Sequence, residues 1–115
     1  MTTLAEKLRA EPGIDVRRLK VGTYVFVETA KHVYEMKVVL PHAGLLEITS
    51  SDPPLHTPTV GQFVSSQCVP MPYDNVEGWI GKGLLMLIRF RNGYYTSAPV
   101  VSAEVEGAKW HYTVF

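Results

Sequence analysis

Arg89-Phe90-Arg91-Asn92-Gly93-Tyr94-Tyr95 is the stretch of this sequence best equipped for chemistry, because two guanidinium groups flank a turn and two phenol rings follow it. Guanidinium groups bind backbone phosphates and aromatic rings stack on bases, so Arg89, Arg91, Tyr94 and Tyr95 form a candidate nucleic-acid surface of the kind oligonucleotide-binding barrels use. The plainer reading is that Phe90 and one tyrosine belong to the core while the arginines keep the turn soluble. Arg17, Arg18 and Lys20 would add to the patch only if folding brought them to the same face.

A second candidate lies in residues 70–79, where Met71, Tyr73, Val76 and Trp79 stand in a proline- and glycine-rich setting. Exposed together, such large apolar groups would make a surface for a protein partner or for a second copy of the chain. The alternative is that Trp79 plugs one end of the fold.

Other chemistry finds little support in the spacing. His32, His42, His56 and His111 show no His-x-His, His-Glu-x-x-His or Cys-x-x-Cys arrangement. His42, Asp52, His56 and Cys68 could hold a metal only if the two middle loops met. Ser65, Ser66 and Cys68 lie in a strand pattern, which reads Cys68 as a small buried hydrophobe rather than a reactive thiolate. No Gly-x-Ser-x-Gly turn or dinucleotide fingerprint occurs, and Gly81-Lys82-Gly83 lacks the frame of a phosphate loop. No catalytic residue, metal ligand or cofactor is assigned.

Positioning these groups falls to a chain of 115 residues, long enough for one core and too short for two. With 46% hydrophobic and 19% charged residues it has the composition of an ordinary globular domain. Eleven basic and eleven acidic side chains cancel, so a nucleic acid or an anionic lipid could be drawn only by a local patch. Cys68 has no partner for a disulfide, which points to a reducing compartment, with the cytoplasm as default. Residues 1–10 carry Glu6, Lys7 and Arg9 where an export signal would be apolar, and the apolar run 84–88 is far below the ~20 residues of a membrane helix.

Thr3 and Glu6 fit a capping box, so residues 1–12 are expected to hold a short helix with Leu4 and Leu8 on one face, stopped by Pro12 and Gly13. Residues 14–21 suit either a helical turn capped by Asp15 or an extended arm. From Thr23 the period becomes two. Tyr34, Met36, Val38 and Leu40 alternate with charged residues and should point together into the interior, and Leu46 and Ile48 follow suit. Three antiparallel strands are thus written in the first half. Prolines make residues 50–58 a surface excursion, residues 60–69 resume the strand pattern with Gly61 a candidate bulge, and Asn92-Gly93 supplies a tight hairpin turn. Residues 101–105 and 110–114 read as a last hairpin.

Seven to eight short strands without βαβ alternation argue for an all-β domain with a short N-terminal helix, spanning residues 1–115 as a single unit. A small antiparallel barrel, closed or partly open, accounts best for strands that are apolar on both faces, and a two-layer sandwich is the alternative. The function these features favour is a non-enzymatic binding or protein-interaction module, self-associating or joined to a protein partner. An oligonucleotide-binding barrel using residues 89–95 is the second reading. An enzyme of small molecules would need a pocket converging on His42, His56 or Cys68.

Overall fold

The computed structural model describes residues 13–67, 75–105 and 108–109. The expected helix over 1–12 lies outside the described residues, as do Cys68, Met71, Tyr73, His111 and the strand expected over 110–114. The described strands are β1 (Gly13–Asp15), β2 (Tyr24–Thr29), β3 (Val33–Leu40), β4 (Leu45–Ser50), β5 (Thr59–Gln67), β6 (Asn75–Glu77), β7 (Trp79–Gly81), β8 (Leu85–Phe90), β9 (Gly93–Val105) and β10 (Ala108–Lys109). Three single 3-10 turns, Val16–Arg18, Pro41–Ala43 and Pro53–Leu55, interrupt them.

Every strand pair is antiparallel, and the pairing returns to its start. β2 pairs β3, β3 pairs β4, β4 pairs β5, β5 pairs β8, β8 pairs β9, and β9 pairs β2 again. Such a ring of hydrogen bonds makes a closed barrel, not a sandwich, and leaves none of these strands as a free edge. β6 and β10 extend the sheet beside β5 and β9, and β1 and β7 form a separate ribbon.

The interior follows from alternation. Val25 and Val27 of β2, Tyr34, Met36 and Val38 of β3, Leu46 and Ile48 of β4, and Met86 and Ile88 of β8 are all buried in one cluster. Intervening residues such as Phe26, Glu35, Lys37 and Glu47 face outward. Leu55, on the excursion that prolines keep out of the sheet, is buried against the same core.

The structure corrects the expected pattern at three places. Leu40 does not join Tyr34, Met36 and Val38 inside but is 48% exposed, because the β3–β4 register shifts between Val38 and Leu40 and breaks the two-residue period. Gly61 is not a bulge; that irregularity falls between Phe63 and Ser65. What Gly61 provides is room, since a Cβ there would stand 2.6 Å from the Phe90 ring. The hairpin turn also sits one residue earlier than Asn92-Gly93, with Arg91 and Asn92 between the paired Phe90 and Gly93. Residues 14–21 combine both expected forms, an extended β1 and then a 3-10 turn whose Arg17 amide is capped by Asp15.

Trp79 is 1% exposed, so it cannot serve a partner surface. With Val76 and Leu84 it makes a cluster of its own, closed by Gly13, where a Cβ would meet the indole at 2.5 Å.

Met36→Ala should lower the free energy of unfolding by about 2–5 kcal/mol, as truncations of fully buried chains do. Leu40→Ala, further along the same strand, should change it by less than about 0.5 kcal/mol. Urea titration of the two variants reads the difference directly.

Candidate functional site

Directly opposite positions on β5, β8 and β9 bring Gln62, Arg89 and Tyr94 into one row. The row lies on the outer surface, with Arg89 exposed and Tyr94 68% exposed. It forms part of the lining of a depression of about 310 Å3 whose flanks are His42 and Arg17. His42 is carried by the Pro41–Ala43 turn, which is tied to β5 by a 3.0 Å bond from Gln62 Nε2 to the Ala43 carbonyl and a 2.8 Å bond from the Phe63 amide to the Gly44 carbonyl.

Arg17 arrives from the Val16–Arg18 turn. Its own amide donates to Asp15 Oδ1 at 3.1 Å, its Nε lies 3.5 Å from the same oxygen, and its Nη1 lies 3.9 Å from Glu77 Oε2. Gly78 lets the guanidinium pass close over the backbone: its φ is +67°, and a Cβ there would stand 2.5 Å from Arg17 Nε. Arg17 thus serves the buried Asp15 carboxylate as well as the depression, and Arg18 Nε adds a contact to Asp15 at 3.9 Å. Arg89 differs. No ion pair among the described residues engages it, so its charge is available to a ligand.

The condition set by the sequence is met in part: folding brings Arg17 to the face of Arg89 and Tyr94. Of the remaining candidates, Arg91 stands exposed at the turn, outside the residues that line the depression. Tyr95 turns away from Tyr94 and packs edge-on against Tyr34 and Phe90, with ring centroids 6.2 and 6.1 Å apart. Gln62 and His42 were missed as members of this group, since nothing in the sequence tells which outward residue of β5 faces Arg89.

A second cluster closes one end of the barrel. Tyr95 donates its hydroxyl proton to Asp52 Oδ2, so its oxygen is left to accept from the Tyr34 hydroxyl at 2.7 Å. His32 Nε2 lies 3.8 Å from the same carboxylate oxygen, and its Nδ1 is 3.2 Å from Ser51 Oγ. Side-chain oxygens shape the loops that meet here: Thr29 accepts from the His32 amide at 3.0 Å, and Ser50 accepts from the Asp52 amide at 3.0 Å while donating to the Val33 carbonyl at 2.8 Å. Burial and then the carboxylate of Asp52 push the Tyr95 hydroxyl pKa far above its ordinary value, and burial raises that of Tyr34. Both phenols therefore stay protonated, Tyr34 donating to Tyr95 and Tyr95 to Asp52 on the loop.

Asp52 and His56 share the excursion after β4, and His56 Nε2 donates to the Ser51 carbonyl at 2.9 Å. His42 lies in the other site, so the structure does not gather it with them. Among the described residues no group of three His, Cys, Asp or Glu side chains could hold a metal ion. No helix among them is long and apolar enough to cross a membrane. No family model, curated protein or solved structure matches the chain.

Two outcomes follow from these geometries. Arg89→Ala should leave unfolding by urea within about 0.5 kcal/mol of wild type, whereas Arg17→Ala, which strips a partner from buried Asp15, should cost about 1–3 kcal/mol. For the tyrosines, a folded-state pKa above the unfolded value means that their contribution to stability is fully present below the unfolded pKa of about 10 and is lost as the pH rises beyond it. Absorbance at high pH should show Tyr34 and Tyr95 ionising only together with loss of the fold, and Tyr95→Phe should remove the steepest part of that alkaline decline.

Proposed function

We propose that this barrel is a non-enzymatic binding module whose Arg17–His42–Arg89–Tyr94 depression takes the phosphate of an oligonucleotide or nucleotide, with Tyr94 as a stacking platform for the adjoining base. The observation that supports it is the convergence of Arg17 and Arg89, from opposite ends of the sequence, beside an aromatic ring that is 68% exposed. An arginine engaged in no described ion pair and a second one held over Gly78 present N–H donors to an anion, and guanidinium groups bind phosphate oxygens with two parallel hydrogen bonds.

Size and charge bound the ligand. A volume of about 310 Å3 is at the small end of ligand sites, room for one phosphate and one base and not for a long stretch of chain. Glu77 in the lining offsets part of the positive charge, and the whole chain is neutral. Affinity would be modest and local in origin, without long-range steering. The tight row of Gln62, Arg89 and Tyr94 on three hydrogen-bonded strands gives the site its rigidity.

Fluorescence anisotropy of labelled oligothymidylate at low salt tests the reading. Binding should weaken as salt is added, with a slope of about one or two released counterions, and should fall about tenfold or more with Arg89→Ala or Tyr94→Ala. Competition by adenosine monophosphate at similar affinity would assign the site to a free nucleotide rather than a strand. No binding of either probe at low salt sinks the proposal.

A further inference from the structure

A different face of the barrel carries the opposite chemistry. Across β9, β2, β3 and β4 the residues Glu104, Phe26, Glu35 and Thr49 stand directly opposite one another, and the next row places Ser102, Glu28 and Val33 side by side. These rows line a groove of about 560 Å3 on the outside of the sheet. Its floor is apolar, with Phe26 38% and Val33 55% exposed. Three carboxylates surround that floor, and no ion pair among the described residues uses Glu28, Glu35 or Glu104.

Strand spacing puts the Cα atoms of Glu35 and Glu104 about 10 Å apart, on either side of Phe26. This backbone spacing suits an organic cation lying over the ring, with a glutamate on either side. In the neighbouring row a cation already lies against an aromatic ring. Lys37 Nζ lies 6.0 Å from the centroid of Tyr24, which stacks on Phe26 at 6.3 Å and 12°. In register Lys37 stands opposite Tyr24 and Glu47, and no ion pair among the described residues joins it to Glu28, Glu35 or Glu104.

We infer that this groove is a docking site for a basic segment of a protein partner, one of whose Lys or Arg side chains lies over Phe26 between Glu35 and Glu104 while its apolar residues cover Val33. Charge complementarity selects the occupant: three like charges around an exposed aromatic floor repel one another until a cation arrives, and an apolar neighbour on the same segment removes the floor from water. The inference stands apart from the phosphate reading, since no residue is shared between the two sites.

The test uses the intact chain and a labelled peptide alternating lysine and leucine, with a glutamate-for-lysine peptide as control. The basic peptide should bind at low salt and the acidic one should not, and E35Q/E104Q should weaken binding about tenfold or more. F26A should weaken it as well, while R89A should leave it unchanged. Glu35 and Phe26 are exposed and Glu104 is half-buried, so thermal melts of the variants should confirm an intact fold and thereby make a loss of binding a property of the groove. Equal binding by wild type and E35Q/E104Q overturns the proposal, and so does no binding at low salt. Light scattering that shows a dimer converted to monomer by E35Q/E104Q would give the groove to a second copy of the chain and overturn the proposed partner.

Discussion

Closure of the barrel rests on β9. This strand of thirteen residues serves two neighbours in turn, pairing β8 through Gly93 to Pro99 and β2 through Val100 to Val105. Each ladder carries one irregularity, between Leu85 and Leu87 on β8 and between Glu28 and Thr29 on β2, and Val100 and Ala103 still point inside. Backbone groups that an open sheet would leave for a foreign strand are thereby satisfied within the ring.

Both candidate sites are by-products of that closure. Tyr94 reaches Arg89 and Gln62 because the first half of β9 pairs β8, and Glu104 reaches Phe26 and Glu35 because its second half pairs β2. A neutral chain thus carries separated regions of opposite sign, which a net charge of zero conceals. The pairing of distant strands also fixes which exposed side chains are neighbours, at about 5 Å across each strand pair.

Period-two alternation made β2, β3 and β4 legible in the sequence, because burial of every second residue is the direct consequence of strand geometry. It failed at Leu40, where one irregular residue at the bulge reverses inside and outside, and no local signal marks that residue. Of the excursion expected over residues 50–58, Ser50 instead ends β4 while 51–58 stay out of the sheet, yet that stretch supplies Asp52 and Leu55 to the barrel end, a tertiary outcome that turn chemistry does not encode. Arg89 and Tyr94 were readable as chemistry from their types, whereas Tyr95 beside them went inward by simple alternation. The groove around Phe26 was invisible, since Glu28, Glu35 and Glu104 come together only when β9 is known to neighbour β2.

Polar groups inside the molecule and at its surface are treated differently, and the contrast bears on function. Asp15, 3% exposed, has an amide and two guanidinium groups to satisfy it. Tyr34 donates to Tyr95 and Tyr95 to Asp52, and Ser66, fully buried, donates to the Trp79 carbonyl. Leaving any of these unpaired would destabilise the fold. Arg89, Glu28, Glu35 and Glu104 are under no such demand, and among the described residues none of them forms an ion pair. Exposed ion pairs contribute little to stability, and like charges set close together oppose it, so folding gives no reason to place three carboxylates around an exposed phenyl ring or an arginine beside an exposed tyrosine. Residues that folding does not require, arranged in rows that a rigid barrel holds in place, are what a binding surface needs.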